Sequence, residues 1–206
     1  MNRSRYAHHQ PGDPPHAQIP STNYSPLRAS VVNSPAFYRF IYAVAIGSNL
    51  GDRAAIIAGA GVALDASGLA RVVAQAALIE TDPVGGPVQP PYLNGAWLVA
   101  SGLGPHQFLE LLRRIEDDFA RVRTLRWGPR TLDLDLLLRE DGLVVDTPVL
   151  TVPHPRLHER RFVLEPLAEV AADWRHPLLG VTIAELLRDL AKAQVAVIMP
   201  PGSRQA

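Results

Sequence analysis

The chain of 206 residues contains no cysteine. That excludes a disulfide framework, thiolate metal ligands and a cysteine nucleophile, and it suits a reducing compartment, so a cytoplasmic location is expected. Net charge is absent too. The 20 Lys plus Arg match 20 Asp plus Glu, so no global field draws the chain towards nucleic acid or an anionic membrane. No apolar run approaches the roughly 20 residues that a bilayer span requires, and residues 1–20 lack the apolar stretch of a signal peptide. The expectation is a soluble protein without nucleic-acid or membrane partners. What the chain does have is 47% hydrophobic residues, enough for one self-standing core. Its cations are almost all arginine, whose planar fork suits phosphate, although a coding bias yields the same composition.

Residues 1–37 are rich in proline, histidine, serine and asparagine, with no apolar period. Such a segment buries too little surface to offset its ordering entropy, so it reads as a disordered tail before a domain spanning 38–206. His8, His9 and His16 in that tail are read as solvated, with metal binding as the alternative. Order begins with the β-branched run IYAVAI (41–46), a buried strand. An alanine-rich helix is expected over 53–67, stopped by Gly68, with Gly59 and Gly61 weakening it. Residues 69–81 read as one long strand, 82–91 as a Pro/Gly loop and 92–101 as another strand. Pro105 opens a helix whose Phe108, Leu111, Leu112, Ile115 and Phe119 recur at helical spacing.

TLDLDLLL (131–138) alternates as a strand, with 143–145 as its short hairpin partner. Helices are expected over 162–170 and 182–192, and a last strand over 195–199. The order β, α, β, β, α, β predicts an α+β fold, a ferredoxin-like sandwich with a mainly antiparallel sheet and helices packed on one face.

The chemistry concentrates around that alternating segment. Residues two apart on a strand share a face, so Asp133 and Asp135 project together while Leu132, Leu134 and Leu136 point the other way. Two oxygen ligands on a rigid strand suit Mg²⁺ completed by water and phosphate. Taken alone, the pair leans towards a solvated strand face. Arg121, Arg123, Arg126 and Arg130 precede it closely, and a cluster so dense repels itself unless an anion sits among the side chains. A polyphosphate with its metal satisfies both signs. Trp127 in the Arg-Trp-Gly-Pro turn either stacks on a base or wedges the turn.

Two flanking segments add to this. In HPRLHERRF (154–162), prolines around His154 impose a stiff extended loop, and Arg160 and Arg161 supply donors. A polar loop capping the next helix is the plain alternative. In ETDPVGGPVQPPYLN (80–94), a long Pro/Gly loop delivers Tyr92 and Asn94 to one strand face. An aromatic platform beside an amide fits a flat heteroaromatic ligand, and a core tyrosine with a structural asparagine is the alternative.

Taken together, AIGSNLGD, ETDPVGG…YLN, RIE…RVR…RWGPRTLDLDLLL and LTVPHPRLHERRFVL resemble the 6-hydroxymethyl-7,8-dihydropterin pyrophosphokinases of folate biosynthesis. They stand in that family's order and approximate spacing. The resemblance implies pyrophosphate transfer from ATP, as co-substrate, to the pterin hydroxymethyl group, with AMP released. It implies two Mg²⁺ ions held by Asp133 and Asp135. Arg121 and Arg130 would hold the transferring phosphates, and Arg123 matches an arginine of a mobile catalytic loop. Glu116, Trp127, Leu136, Leu150, Thr151, His154 and Arg160 fall at nucleotide-side positions. Thr81, Asp82, Val84, Tyr92, Asn94 and Phe162 fall at the pterin pocket, with the ring stacked between Tyr92 and Phe162. Gly47 and Asn49 lie at the pocket's edge, and a monomer is expected.

Three positions depart from the pattern. Thr124 stands where some members have lysine, Pro155 replaces an aromatic and Val149 an arginine. They bear on the closing loop's contacts, not on the reaction class. Two rivals are weighed against this reading. A catalytically dead relative should lack an aspartate or a key arginine, and none is missing. An RNA-binding module should be basic with exposed aromatics, whereas this chain is neutral and 6% aromatic.

Overall fold

The computed structural model describes residues 38–119 and 129–198. Two split β-α-β units form its centre. β1 (Phe40–Ser48), α1 (Arg53–Ala66), β2 (Ala70–Gln75), β3 (Ile79–Thr81), β4 (Tyr92–Ser101), α2 (Pro105–Asp118) and β5 (Asp133–Arg139) follow in chain order. β6 (Val145–Thr147) and β7 (Leu150–Val152) form a separate small hairpin, and α3 (Arg161–Ala171) and α4 (Ile183–Ile198) close the described chain. The sheet order is β2-β4-β1-β5 with β3 also on β4, and every pairing is antiparallel. This is the expected α+β, ferredoxin-like arrangement.

Alternation along the strands sorts side chains onto two faces. Tyr42, Val44, Ile46, Trp97, Val99, Leu132, Leu134 and Leu136 are buried against Ile57, Ala60 and Leu64 of α1 and Phe108, Leu112 and Ile115 of α2. Each such side chain contributes about 1.5–3 kcal/mol on burial, and that burial holds the helices on the sheet. Tyr42 stacks on Phe108 with ring centroids 4.3 Å apart and donates its hydroxyl to Leu103 O at 2.7 Å. On the other face Ala43, Ala96 and Leu138 pack with Val163, Leu164 and Leu167 of α3 and Ile183 of α4. Helices therefore cover both faces, not one as expected from sequence. The third and fourth helices shield the face that the two split units leave open.

Three further expectations are corrected. The long strand over 69–81 is two strands on the same edge of β4, interrupted at 76–78. There the Ala77 N–H turns away from the sheet and donates to Glu169 Oε2 of α3 at 2.9 Å, so a helix carboxylate substitutes for a strand partner. The short strand beginning at Val145 pairs with β7 and not with β5. The segment from Val195 to Ile198 continues α4 as helix where a last strand was expected; its β-branched residues outweigh neither the helical run before it nor the packing of that run on α3.

α1 starts as its sequence requires. Asp52 accepts the Ala55 N–H at 3.1 Å as N-cap. Gly59 has a positive use: a Cβ there would lie 3.1 Å from the Phe119 ring, so the missing side chain admits α2 close to α1.

β5 carries an irregularity. Opposite β1 the register runs Ala45↔Asp135, Val44↔Leu136, then Ala43↔Leu138, leaving Leu137 as an extra residue. After this bulge the strand's parity is reversed: Leu136 belongs to the α1–α2 core, but both Leu137 and Leu138 belong to the α3 core. Arg139 ends the strand over the Phe40 ring at 4.1 Å, gripped by Asp141 through two bonds of 2.7 and 2.8 Å.

Candidate active site

A cavity of about 510 Å³ opens on the α3 side of the sheet, at the ends of β1, β4 and β5. Asp133 and Asp135 reach it because they occupy the odd positions of β5 ahead of the bulge, opposite Gly47 and Ala45 of β1. Gly47 leaves room there. A Cβ would stand 3.1 Å from Asn94 Oδ1, close enough that the amide would have to give way, while Asp133 Cβ at 3.9 Å would be in ordinary contact.

Arg130 Nη1 donates to Asp133 Oδ2 at 2.7 Å. Burial alone would lower the guanidinium pKa, but Asp133, with smaller help from Tyr92 and Asp135, makes the net shift upward. Arg160 Nη1 lies 3.6 Å from Asp135 Oδ2, and His154 Nε2 lies 4.0 Å from the same oxygen. The His154 Nδ1 accepts the Arg156 N–H at 3.1 Å, which leaves the ring proton on Nε2, facing the aspartate. Burial, then the positive charges of Arg160 and Arg156, push the His154 pKa down to about 4. At neutral pH it is an uncharged donor.

The other half of the cavity is built by β3, β4 and the start of α3. Thr81, Asp82, Val84, Tyr92, Asn94 and Phe162 all line it. Asn94, buried to 7% exposure, donates to Thr81 Oγ1 at 2.7 Å across the β3–β4 pair. Asn49 ties the halves together. Its side chain accepts the Arg130 N–H at 2.8 Å and donates to Gln89 Oε1 and Pro90 O, both at 3.1 Å. Gln89 Oε1 also accepts from the Tyr92 hydroxyl at 3.3 Å.

The structure thus gathers Arg130, Asp133, Asp135 and Arg160 with the six expected pocket residues around one cavity. Leu136 and Leu150 instead bury their side chains in the α1–α2 core, leaving only main chain for a ligand. Glu116 is buried and accepts the Leu134 N–H at 2.7 Å. Thr151 lies on β7, paired opposite Asp146. Arg121, Arg123, Thr124, Arg126, Trp127 and the tail 1–37 lie outside the described residues. Sequence reasoning missed Gln89 and Arg156 as lining residues, while Arg161, expected as a donor, does line the cavity. The available signal for Gln89 was a lone amide in a loop of Pro, Gly and Val.

The aspartate pair can be tested against a divalent cation. Among the described residues no group of three or more His, Asp or Glu side chains gathers to hold a metal. A site of two carboxylates is what Mg²⁺ accepts when substrate phosphates and water complete its octahedron, so the donor set fits. The flanking arginines fit the phosphates themselves.

Comparison with known proteins gives a consistent result. The family model described as 7,8-dihydro-6-hydroxymethylpterin-pyrophosphokinase matches residues 43–172. The chain is 45% identical over 129 residues to the Bacillus subtilis 2-amino-4-hydroxy-6-hydroxymethyldihydropteridine pyrophosphokinase, covering 62% of this chain and 75% of the relative. It is 44% identical over 145 residues to the enzyme of that name from Methylorubrum extorquens, covering 70% and 90%. Among solved structures, the Plasmodium falciparum HPPK-DHPS with pterin and p-hydroxybenzoate superposes with a TM-score of 0.61 at 14% identity, over 82% of this chain and 46% of that one. The last likeness concerns the fold alone, and the chain spans under half of that solved protein.

Proposed function

The chain belongs to the 7,8-dihydro-6-hydroxymethylpterin-pyrophosphokinase family, and from this we propose how its residues divide the work. The enzyme transfers the pyrophosphoryl group of ATP to hydroxymethyldihydropterin in folate synthesis. One observation carries the assignment of the site: a single cavity holds the paired carboxylates beside an aromatic and amide pocket.

In this reading the pterin ring lies between Tyr92 and Phe162, with Thr81, Asp82, Val84 and Asn94 around its edge. Stacking and hydrogen bonding fix the hydroxymethyl oxygen in line with the β-phosphorus of ATP. That oxygen gives up its proton to solvent and forms the new bond to the β-phosphorus as the bond from that phosphorus to the α-phosphate oxygen breaks and AMP leaves. Arg130 and Arg160, with Arg121 and Arg123, hold the phosphate oxygens; such transfer needs positioning and charge neutralisation more than a protein nucleophile. The uncharged His154 donates to the nucleotide from Nε2. Glu116, Trp127, Leu136, Leu150 and Thr151 complete the nucleotide side, Leu136 and Leu150 through their main chain.

Asp133 and Asp135 are the residues that would hold magnesium, two ions in our proposal. Bound there, the metal supplies Lewis-acid neutralisation of the phosphate charge. We further propose a cytoplasmic monomer, placed where the ATP that the reaction draws on is available. The first 37 residues would act as a spacer.

The test is direct. Purified protein with ATP, 6-hydroxymethyl-7,8-dihydropterin and Mg²⁺ should yield AMP and the pterin pyrophosphate, and neither without the metal. No AMP at saturating substrates would overturn the assignment.

A further inference from the structure

β5 is an edge strand. Its neighbour in the sheet is β1, so its outer main-chain groups need partners from elsewhere. Two are found at the part that carries the aspartates. The His154 N–H donates to Leu137 O at 2.6 Å, and the Glu116 carboxylate accepts the Leu134 N–H at 2.7 Å. Leu134 is the residue between Asp133 and Asp135.

Glu116 is an unexpected side chain at this place. It follows Phe108, Leu112 and Ile115 on the buried stripe of α2 and is only 2% exposed. A carboxylate there suffers desolvation, whereas an apolar residue would fill the stripe without that cost. What the apolar residue would lack is an acceptor for the Leu134 N–H. An edge strand without that anchor is free to twist or slip, and on a strand a small rotation redirects both neighbouring side chains.

We infer that Glu116 is a positioning residue whose buried carboxylate, by anchoring Leu134 of β5, fixes the direction in which Asp133 and Asp135 project. The inference rests on the proposed role of the aspartates, and it gives Glu116 a task distinct from touching the nucleotide. Partners that orient a metal ligand without binding the metal are worth roughly 10–100-fold in affinity or activity. The side-chain amide of glutamine retains an oxygen that can accept the same N–H, while aspartate keeps the charge but falls one methylene short.

The experiment compares wild type with Glu116→Gln, Glu116→Asp and Glu116→Ala in three measurements. These are Mn²⁺ affinity without nucleotide, hydrogen exchange of the Leu134 amide, and kcat with the KM for ATP. Glu116→Gln should keep the Leu134 amide protected and Mn²⁺ affinity near wild type. Glu116→Asp and Glu116→Ala should expose the Leu134 amide to exchange, weaken Mn²⁺ binding and lower kcat by roughly 10–100-fold. Should Glu116→Ala fail to fold, the Gln and Asp pair decides alone. Unchanged Leu134 exchange in the Asp and Ala variants, or a Gln variant whose Leu134 exchange and Mn²⁺ binding are as impaired as those of the Asp variant, would overturn the inference. Wild-type protein that forms no AMP would instead defeat the assigned activity, leaving the exchange and Mn²⁺ arms to judge Glu116.

Discussion

Arg130 and Asp133 are joined by a bond of 2.7 Å on the turn that leads into β5. The pair keeps cation and carboxylate side by side before any phosphate arrives, and both side chains retain partial exposure, at 24% and 22%. A polyphosphate with its metal offers each a stronger partner, so the contact can open without leaving either charge bare.

Asp133→Ala and Asp135→Ala should each lower kcat by roughly 10²–10³-fold, the usual cost of losing one preorganised electrostatic group. Their melting temperatures should barely move, since a partly exposed ion pair contributes about 0–1 kcal/mol. AMP release and thermal melts measure both. Normal turnover in either variant removes that carboxylate from the chemistry.

Gly47→Ala probes the crossing of β1 and β4. The added methyl, 3.1 Å from Asn94 Oδ1, should push the amide off Thr81 and raise the KM for pterin about tenfold, or about 1.4 kcal/mol. The KM for ATP should change much less. An unaltered pterin KM would show that Asn94 does not set the pocket.

His176 gives stability a dependence on pH away from the site. It is 4% exposed, its Nδ1 has no hydrogen-bond partner, and His158 stands edge-on with centroids 6.1 Å apart. Burial, then the neighbouring His158, lowers its pKa. The unfolded chain, with a histidine pKa near ~6.5, therefore takes up a proton before the folded one does. Stability is full above that pH and falls as the pH drops below it. Melting temperature should decline on acidification from about pH 6.5, and His176→Gln should flatten the decline. An equal slope in the variant would assign the effect to other groups.

Removing residues 1–36 should leave kcat and both KM values unchanged, because every described residue lining the cavity lies at or beyond Ala45. Impaired turnover in the shortened chain would show that the tail does more than act as a spacer.

Much of the site was legible because its signals are local. Alternation in DLDL is a strand property, so the shared face of the aspartates follows from the residues themselves, as does the emergence of Tyr92 and Asn94 together. The fold's central units followed from periodicity for the same reason. What escaped depends on distant contacts. The break at 76–78 relies on Glu169, which lies 92 positions from Ala77, and the second helical layer relies on small residues, Ala43 and Ala96, receiving α3. Asn49 reads as a turn residue, and nothing in AIGSNLGD announces that it binds a loop 40 positions away.

The extra residue at Leu137 has a genetic consequence. Because it reverses parity, β5 is read in two frames: Asp133 and Asp135 in one, Leu138 and Arg139 in the other. Losing one residue between Asp135 and Leu138 could leave both aspartates in place by straightening the ladder. The same loss between Arg130 and Asp133 would shorten the turn that carries the Arg130–Asp133 bond and break that pairing. Tolerance to deletion along this strand should therefore be sharply one-sided, with the bulge acting as a spare letter that absorbs a slip before it reaches the chemistry.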